Sequence, residues 1–161
     1  MDKLLQLLGD NSELSYGEMA TMLNDSEENI KKKIAQYEKD GIIKGYKAII
    51  NYDKVAGAKA TAYIELKVTP QKDTGFDTIA KQIMDFEEVD SVYLMAGAYD
   101  LLVCVKGDSI TDIAMFVAKR VSTIDGVIST NTRFQLKTYK KSGIVFYDEE
   151  EEQDKRSIVL W

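Results

Sequence analysis

Lys31, Lys32 and Lys33 are three consecutive cations in a chain that otherwise carries more acid than base, for a net charge of -6. At about 100° per residue they fan around a helix whose apolar positions are Ile30, Ile34 and Tyr37. Ammonium groups so placed suit phosphate oxygens, and each contact made would release counterions and make association salt-dependent. Ser26, Asn29 and Gln36 share the stretch and carry donors and acceptors suited to base edges or to single phosphate oxygens. Three lysines alone are more often a solvated surface run.

The residues in front of them reverse that preference. Met19, Ala20 and Leu23 mark a preceding helix face, and Ser15 with Glu18 three residues on has the spacing of a capping box. Asn24-Asp25-Ser26 supplies a stop and then an N-cap, and Gly41 can end the second helix after Asp40 in a left-handed conformation. Two short helices across such a turn form a helix-turn-helix, whose second helix fits a DNA major groove. Glu27 and Glu28 favour the helix dipole but repel phosphates unless turned aside. Leu4, Leu5, Leu7 and Leu8 predict a further helix over 2–8, stopped at Gly9, and the β-branched and aromatic run 42–50 reads as a strand or short wing.

A second group of residues with chemistry is Gly97, Tyr99 and Asp100. A glycine lets backbone N–H groups approach a carboxylate, and an aspartate at a strand start can hold an ammonium, so the pair suits a zwitterion. The same residues also describe a plain hairpin turn, Ala96-Gly97-Ala98, with Asp100 bonded to the turn's own backbone. On the residues alone the plain turn is the simpler reading.

The elements that would carry this second group follow a linker at 51–57. Ala60, Ala62, Ile64, Leu66 and Val68 alternate with Thr61, Tyr63, Glu65 and Lys67 as in a strand with one face toward helices, and Pro70 stops it. Phe76, Ile79, Ala80, Ile83 and Met84 have helical spacing, with Asp73, Thr74 and Asp77 as acid and caps near the start. Strands are predicted over 89–95 and 99–106, joined by a tight turn, and a strand over 127–139. Between them Ser109 and Asp112 open a helix with Ile110, Ile113, Ala114, Val117 and Val121 on its apolar face. The order strand, helix, strand, strand, helix, strand is the ferredoxin-like arrangement, with both helices on one side of an antiparallel sheet. Tyr63, Tyr93 and Met95 leave the other side too apolar for water, so a second subunit is expected to cover it about a two-fold axis. The fold class is thus α+β: a winged helix-turn-helix over 1–50, the linker, a ferredoxin-like βαββαβ sandwich over 58–140, and an acidic extension over 141–161.

Composition narrows the function. The acidic run 148–152 accounts for most of the net charge, so bulk electrostatics neither supports nor excludes nucleic acid. The chain has no histidine, which removes the usual general base and metal ligand, and its lone Cys104 lies inside an apolar run as a buried small hydrophobe. No apolar run approaches the roughly 20 residues that span a bilayer, and the start lacks the order of a signal peptide, so a cytoplasmic protein without membrane contact is expected. There is no nucleophile with a base, no metal cluster and no phosphate-binding glycine loop, so neither an enzyme nor a cofactor is predicted. The apolar runs 144–147 and 158–161 flank the acidic stretch either as two strands around a loop or as ends of a disordered tail.

The succession SYGEMATMLNDSEENIKKKIAQYEKDGIIKGYKAIINYDKVAG, followed by a βαββαβ pattern containing GAYDLLV, resembles the Lrp/AsnC family of feast/famine transcriptional regulators. The resemblance runs from about residue 2 to about residue 140. Its most specific pieces are Asp40-Gly41-Ile42-Ile43-Lys44-Gly45-Tyr46 and Gly97-Ala98-Tyr99-Asp100-Leu101. It implies double-stranded DNA as partner through α-helical recognition, a sandwich domain that dimerises and often builds octamers, and an amino-acid effector bound between dimers. It also implies that Thr132 lies near the effector site, although a strand threonine is otherwise just a strand former. The chain departs from the family in Lys33, where arginine is common, in Glu27 and Glu28, and in its acidic tail. The competing expectation is an amino-acid-binding oligomeric module that has lost DNA binding, favoured by the acidic balance.

Overall fold

Asp2 starts the first helix by accepting the Leu4 N–H on its carboxylate at 2.7 Å. The computed structural model describes residues 2–72 and 74–147, and the chain divides into two compact units, Met1–Ile50 and Asn51–Trp161. In the first unit α1 spans Lys3–Asp10, α2 Tyr16–Leu23 and α3 Glu27–Lys39. Helix α1 passes the expected stop because Gly9 is not left-handed; Asn11 closes it instead, donating to the Leu7 carbonyl at 2.8 Å.

The caps between α1 and α3 are those the residues predict. Ser15 Oγ accepts the Glu18 N–H while Glu18 accepts the Ser15 N–H at 2.8 Å, a reciprocal box. Asn24 ends α2 at φ 52°, Ser26 caps α3, and Gly41 at φ 69° lets the Ile42 and Ile43 N–H groups return to the Tyr37 carbonyl. Leu4, Met19, Ala20, Ile30 and Ile34 form the buried centre of the unit. Tyr37 donates to Asp2 at 2.9 Å, tying α3 to the cap of α1. Removing the box with Ser15→Ala should lower the stability of this unit by about 1 kcal/mol, read as a shift in its denaturation midpoint.

The expected strand or wing over 42–50 forms no ladder. A strand needs an adjacent edge to accept its N–H groups, and three helices supply none. Tyr46 instead reaches back to Glu38 at 3.1 Å.

In the second unit β1 is Ala60–Val68, α4 Asp77–Met84, β2 Val89–Leu94, β3 Leu101–Gly107, α5 Ile110–Phe116 and β4 Val127–Phe134. The sheet order is β2-β3-β1-β4 with every neighbour antiparallel, the ferredoxin-like topology. Ala62, Ile64, Leu66 and Val68 from β1 pack with Ile79 and Ile83 of α4 and with Ile113 of α5, so the strand's alternation does define the core face. The opposite face carries Tyr63, paired with Cys104, and Tyr93, paired with Leu102, and Tyr63, Tyr93 and the loop residue Met95 are exposed. Cys104 shares that face, yet neighbouring side chains leave it only 7% exposed and burial pushes its thiol pKa up.

Several elements differ from their sequence pattern. No side chain caps α4: Phe76 precedes it, and Thr74 accepts from Thr78 instead. Asp73 lies outside the described residues. After α5 the chain makes a turn of π-helix over Val117–Val121, closed by the Ser122 N–H on the Val117 carbonyl at 2.9 Å. Phe116 and Val117 are buried with Ile113 and Val121, whereas Ile110 and Ala114, expected on the core face, are exposed. Strand β4 ends at Phe134 rather than Tyr139. Beyond it β5, Lys140–Lys141, pairs with β6, Ile144–Val145, across a turn with Ser142 and Gly143 both left-handed, as two-residue hairpins require. The acidic run and the 158–161 stretch lie outside the described residues.

Candidate functional site

Helix α3 brings all six residues predicted to face nucleic acid onto one element or its cap, and each side chain already has a partner. Ser26 Oγ accepts the Asn29 N–H at 3.2 Å. The Asn29 amide nitrogen sits 2.8 and 2.9 Å from the two oxygens of Asp25. Lys33 Nζ is 2.8 Å from Asp25, Lys32 Nζ 2.7 Å from Glu28, and Gln36 Nε2 2.7 Å from Asp40. Lys31 Nζ lies 5.2 Å from the centre of the Tyr16 ring, a cation–π contact in place of a carboxylate. The Glu28 and Asp40 pairs are solvent-exposed, and exposed ion pairs are worth about 0–1 kcal/mol, so a phosphate can displace these carboxylates at small cost.

Glu27 is turned aside. Its carboxylate rests against Gly17 of α2, where a Cβ would lie 2.7 Å from Oε1, so a larger residue there would push the carboxylate aside. Glu28 stays beside the lysines as the partner of Lys32.

Asp25 is the residue sequence reasoning passed over. It accepts from the Ser26 N–H at 2.8 Å as well as from Asn29 and Lys33. The Lys33 ammonium, then Asn29 and the Ser26 N–H, lower its carboxyl pKa to about 2. Because the folded pKa is depressed, this contribution to stability is present above the ordinary carboxylate range and is lost only as pH falls through about 2. The cluster is therefore intact throughout the neutral range. Its signal in the sequence is the spacing four and eight residues ahead of Asn29 and Lys33, one side of a helix extended back through its cap.

The second group lies on the loop from Leu94 to Leu101, which is longer than the tight turn expected and is closed by the Met95 N–H on the Asp100 carbonyl at 2.8 Å. Gly97 has no left-handed φ, and nothing lies within 4 Å of where its Cβ would stand, so the chain's own conformation does not require glycine there. Tyr99 is half-buried. Asp100 bonds backbone, but that of β1 rather than of its own turn: Oδ2 accepts the Val68 N–H at 2.9 Å, beside the register shift at Lys67 and Val68, and Oδ1 lies 3.4 Å from Lys67 Nζ. The Val68 N–H, and then Lys67, hold its carboxyl below the usual range. Thr132 is not brought to this loop. It pairs with Ile64 on the far side of β1, about two interstrand spacings or roughly 10 Å away, and shares the helix-facing side of the sheet.

The sequence profile of the Lrp/AsnC ligand binding domain matches residues 61–145. The HTH-type transcriptional regulator YugG of Bacillus subtilis is 43% identical over 158 residues, 98% of this chain and 94% of that protein. The chain belongs to the Lrp/AsnC family. Lrp/AsnC proteins are transcriptional regulators and not enzymes. Solved structures share the fold, two of them of named regulators. Escherichia coli AsnC superposes with a TM-score of 0.67 at 23% identity, covering 88% of this chain and 95% of that one. The Neisseria meningitidis transcriptional regulator NMB0573, solved in complex with L-Met, gives 0.69 at 24% identity, covering 88% and 93%. Among the described residues no helix is long and apolar enough to cross a membrane.

Proposed function

We propose that this Lrp/AsnC protein binds duplex DNA sequence-specifically through α3 and that an amino acid changes its assembly and thereby its DNA affinity. The observation that carries the reading is a capped, outward-facing helix with Lys31, Lys32 and Lys33 exposed around it. In this reading residues 1–50 are the DNA-binding domain, 51–57 the linker, 58–140 the effector and oligomerisation domain and 141–161 an acidic extension. A second subunit covers Tyr63 and Tyr93 about a two-fold axis, which presents two recognition helices to a pseudo-palindromic site. Higher assembly, such as an octamer, brings Thr132 of one protomer toward the Gly97, Tyr99 and Asp100 loop of another. The open space around Gly97 and the L-Met bound by a protein of the same fold support a zwitterion there. A ligand at such an interface acts only through unequal affinity for the assembly states.

The effector half is tested by calorimetry with the common amino acids. Asp100→Ala should weaken binding by about tenfold or more, as expected for a lost charge-assisted bond. Asp100→Asn separates the roles, because its amide oxygen still accepts the Val68 N–H while the charge for an ammonium is gone. Undiminished affinity in a folded Asp100→Ala protein would refute the assignment.

One observation favours a second reading, an amino-acid-binding module without DNA binding: Lys32, Lys33 and Gln36 are each already held by a carboxylate of their own chain. Amino-acid binding without retention of any duplex at low salt would establish it.

A further inference from the structure

Resting on the DNA-binding reading, we propose that Asp25 is a positioning residue that turns Asn29 so that it reads an adenine edge in the major groove. The two oxygens of one carboxylate subtend a small angle at the Asn29 nitrogen, so a single N–H spans both. A carboxylate only accepts, which fixes the amide with its nitrogen toward the turn. The other N–H and the carbonyl oxygen remain free, since among the described residues nothing donates to Asn29 Oδ1. One donor beside one acceptor is the set that pairs with adenine N7 and N6, whereas cytosine offers a donor alone and guanine two acceptors. A phosphate is the wrong partner for this arrangement: the free carbonyl would face its oxygens, with the Asp25 charge close behind.

The placement agrees with this role. Asn29 lies in the first turn of α3, the end of a recognition helix that contacts base edges. Asp25 is anchored independently by the Ser26 N–H, and its side chain is 22% exposed against 46% for Lys33, so it can fix the rotamers of more mobile neighbours. By holding Lys33 as well, Asp25 removes one cation from indiscriminate phosphate binding. Affinity for unrelated DNA is thus traded for a base preference.

The test uses the full chain. Wild type first selects its site from a pool of randomised duplexes, and fluorescence anisotropy then compares single-base variants of that site and an unrelated duplex across a salt series. Wild type should prefer A·T at one position of each half-site by about tenfold, within the range of one bidentate pair. Asn29→Ala and Asp25→Ala should both flatten that position and no other. Asp25→Asn, which keeps an acceptor for the amide but not the charge for Lys33, should retain the preference while its salt slope on unrelated DNA steepens by about one per freed lysine. The inference is overturned if Asp25→Ala keeps the full preference or flattens every position alike. Should Asp25→Ala not fold, Asp25→Glu replaces it, since moving the carboxylate by one methylene must also flatten the position. Selection of no sequence by wild type removes the DNA reading and this inference together, whereas selection unaffected at Asp25 removes the inference alone.

Discussion

Replacing Lys31, Lys32 and Lys33 together by alanine is expected to abolish duplex binding near physiological salt. With one phosphate each for Lys31 and Lys32, and Lys33 held by Asp25, a dimer loses four contacts, and the slope of log K against log salt should fall by about 3.6. The folded unit should survive, because all three side chains are exposed and alanine is the best helix former. The stability lost with the Glu28 pair is only about 0.3–0.5 kcal/mol. Single substitutions should rank in an order that their native partners set. Lys31 faces a ring and, among the described residues, has no carboxylate to give up, so Lys31→Ala should cost more binding than Lys32→Ala or Lys33→Ala. Anisotropy titrations over a salt series measure both quantities, with circular dichroism confirming the helices. Equal affinity of the triple variant and wild type would remove the proposed phosphate contacts.

The second large effect is on folding. Ile30 is fully buried where α3 meets Met19 and Ala20 of α2 and Leu4 of α1. Truncation of such an isoleucine to alanine costs about 2–5 kcal/mol. A unit of some 50 residues with so few buried side chains has little stability to spare. Ile30→Ala should therefore unfold the helical unit at moderate temperature and abolish DNA binding, while the sheet unit, whose core contains none of these residues, keeps its amino-acid affinity. Thermal melts followed by circular dichroism, with calorimetry on the same sample, check both halves. Loss of amino-acid binding alongside DNA binding would show that the two units do not fold independently.

Signals that act within a few residues were the legible ones. Ser15 with Glu18, Asn24, Ser26 and Gly41 behave as their side chains and backbone freedom dictate, because a cap is a local hydrogen-bonding problem. The alternation in β1 was legible for the same reason, since one buried face imposes a period of two. Three features depended on more than local pattern. The π turn after Phe116 is an insertion that no 3.6 period encodes. The run 42–50 has strand chemistry but no neighbouring edge to pair with. Asp25 looked like a turn residue, and only the path of α3 beyond it shows that its carboxylate reaches Asn29 and Lys33. At the second site, Asp100 was expected to bond the backbone of its own turn, but the donor it accepts is the Val68 N–H of a strand distant in sequence, which no local turn pattern specifies.

The central claim is that one molecule couples duplex binding by α3 to amino-acid occupancy of its sheet domain. Anisotropy of a labelled duplex carrying the selected site, titrated with the full chain at low and physiological salt with and without each common amino acid, tests it most directly. The account predicts retention that weakens steeply with salt and an affinity that at least one amino acid shifts. An amino acid that binds by calorimetry to a chain retaining no duplex even at low salt would contradict it.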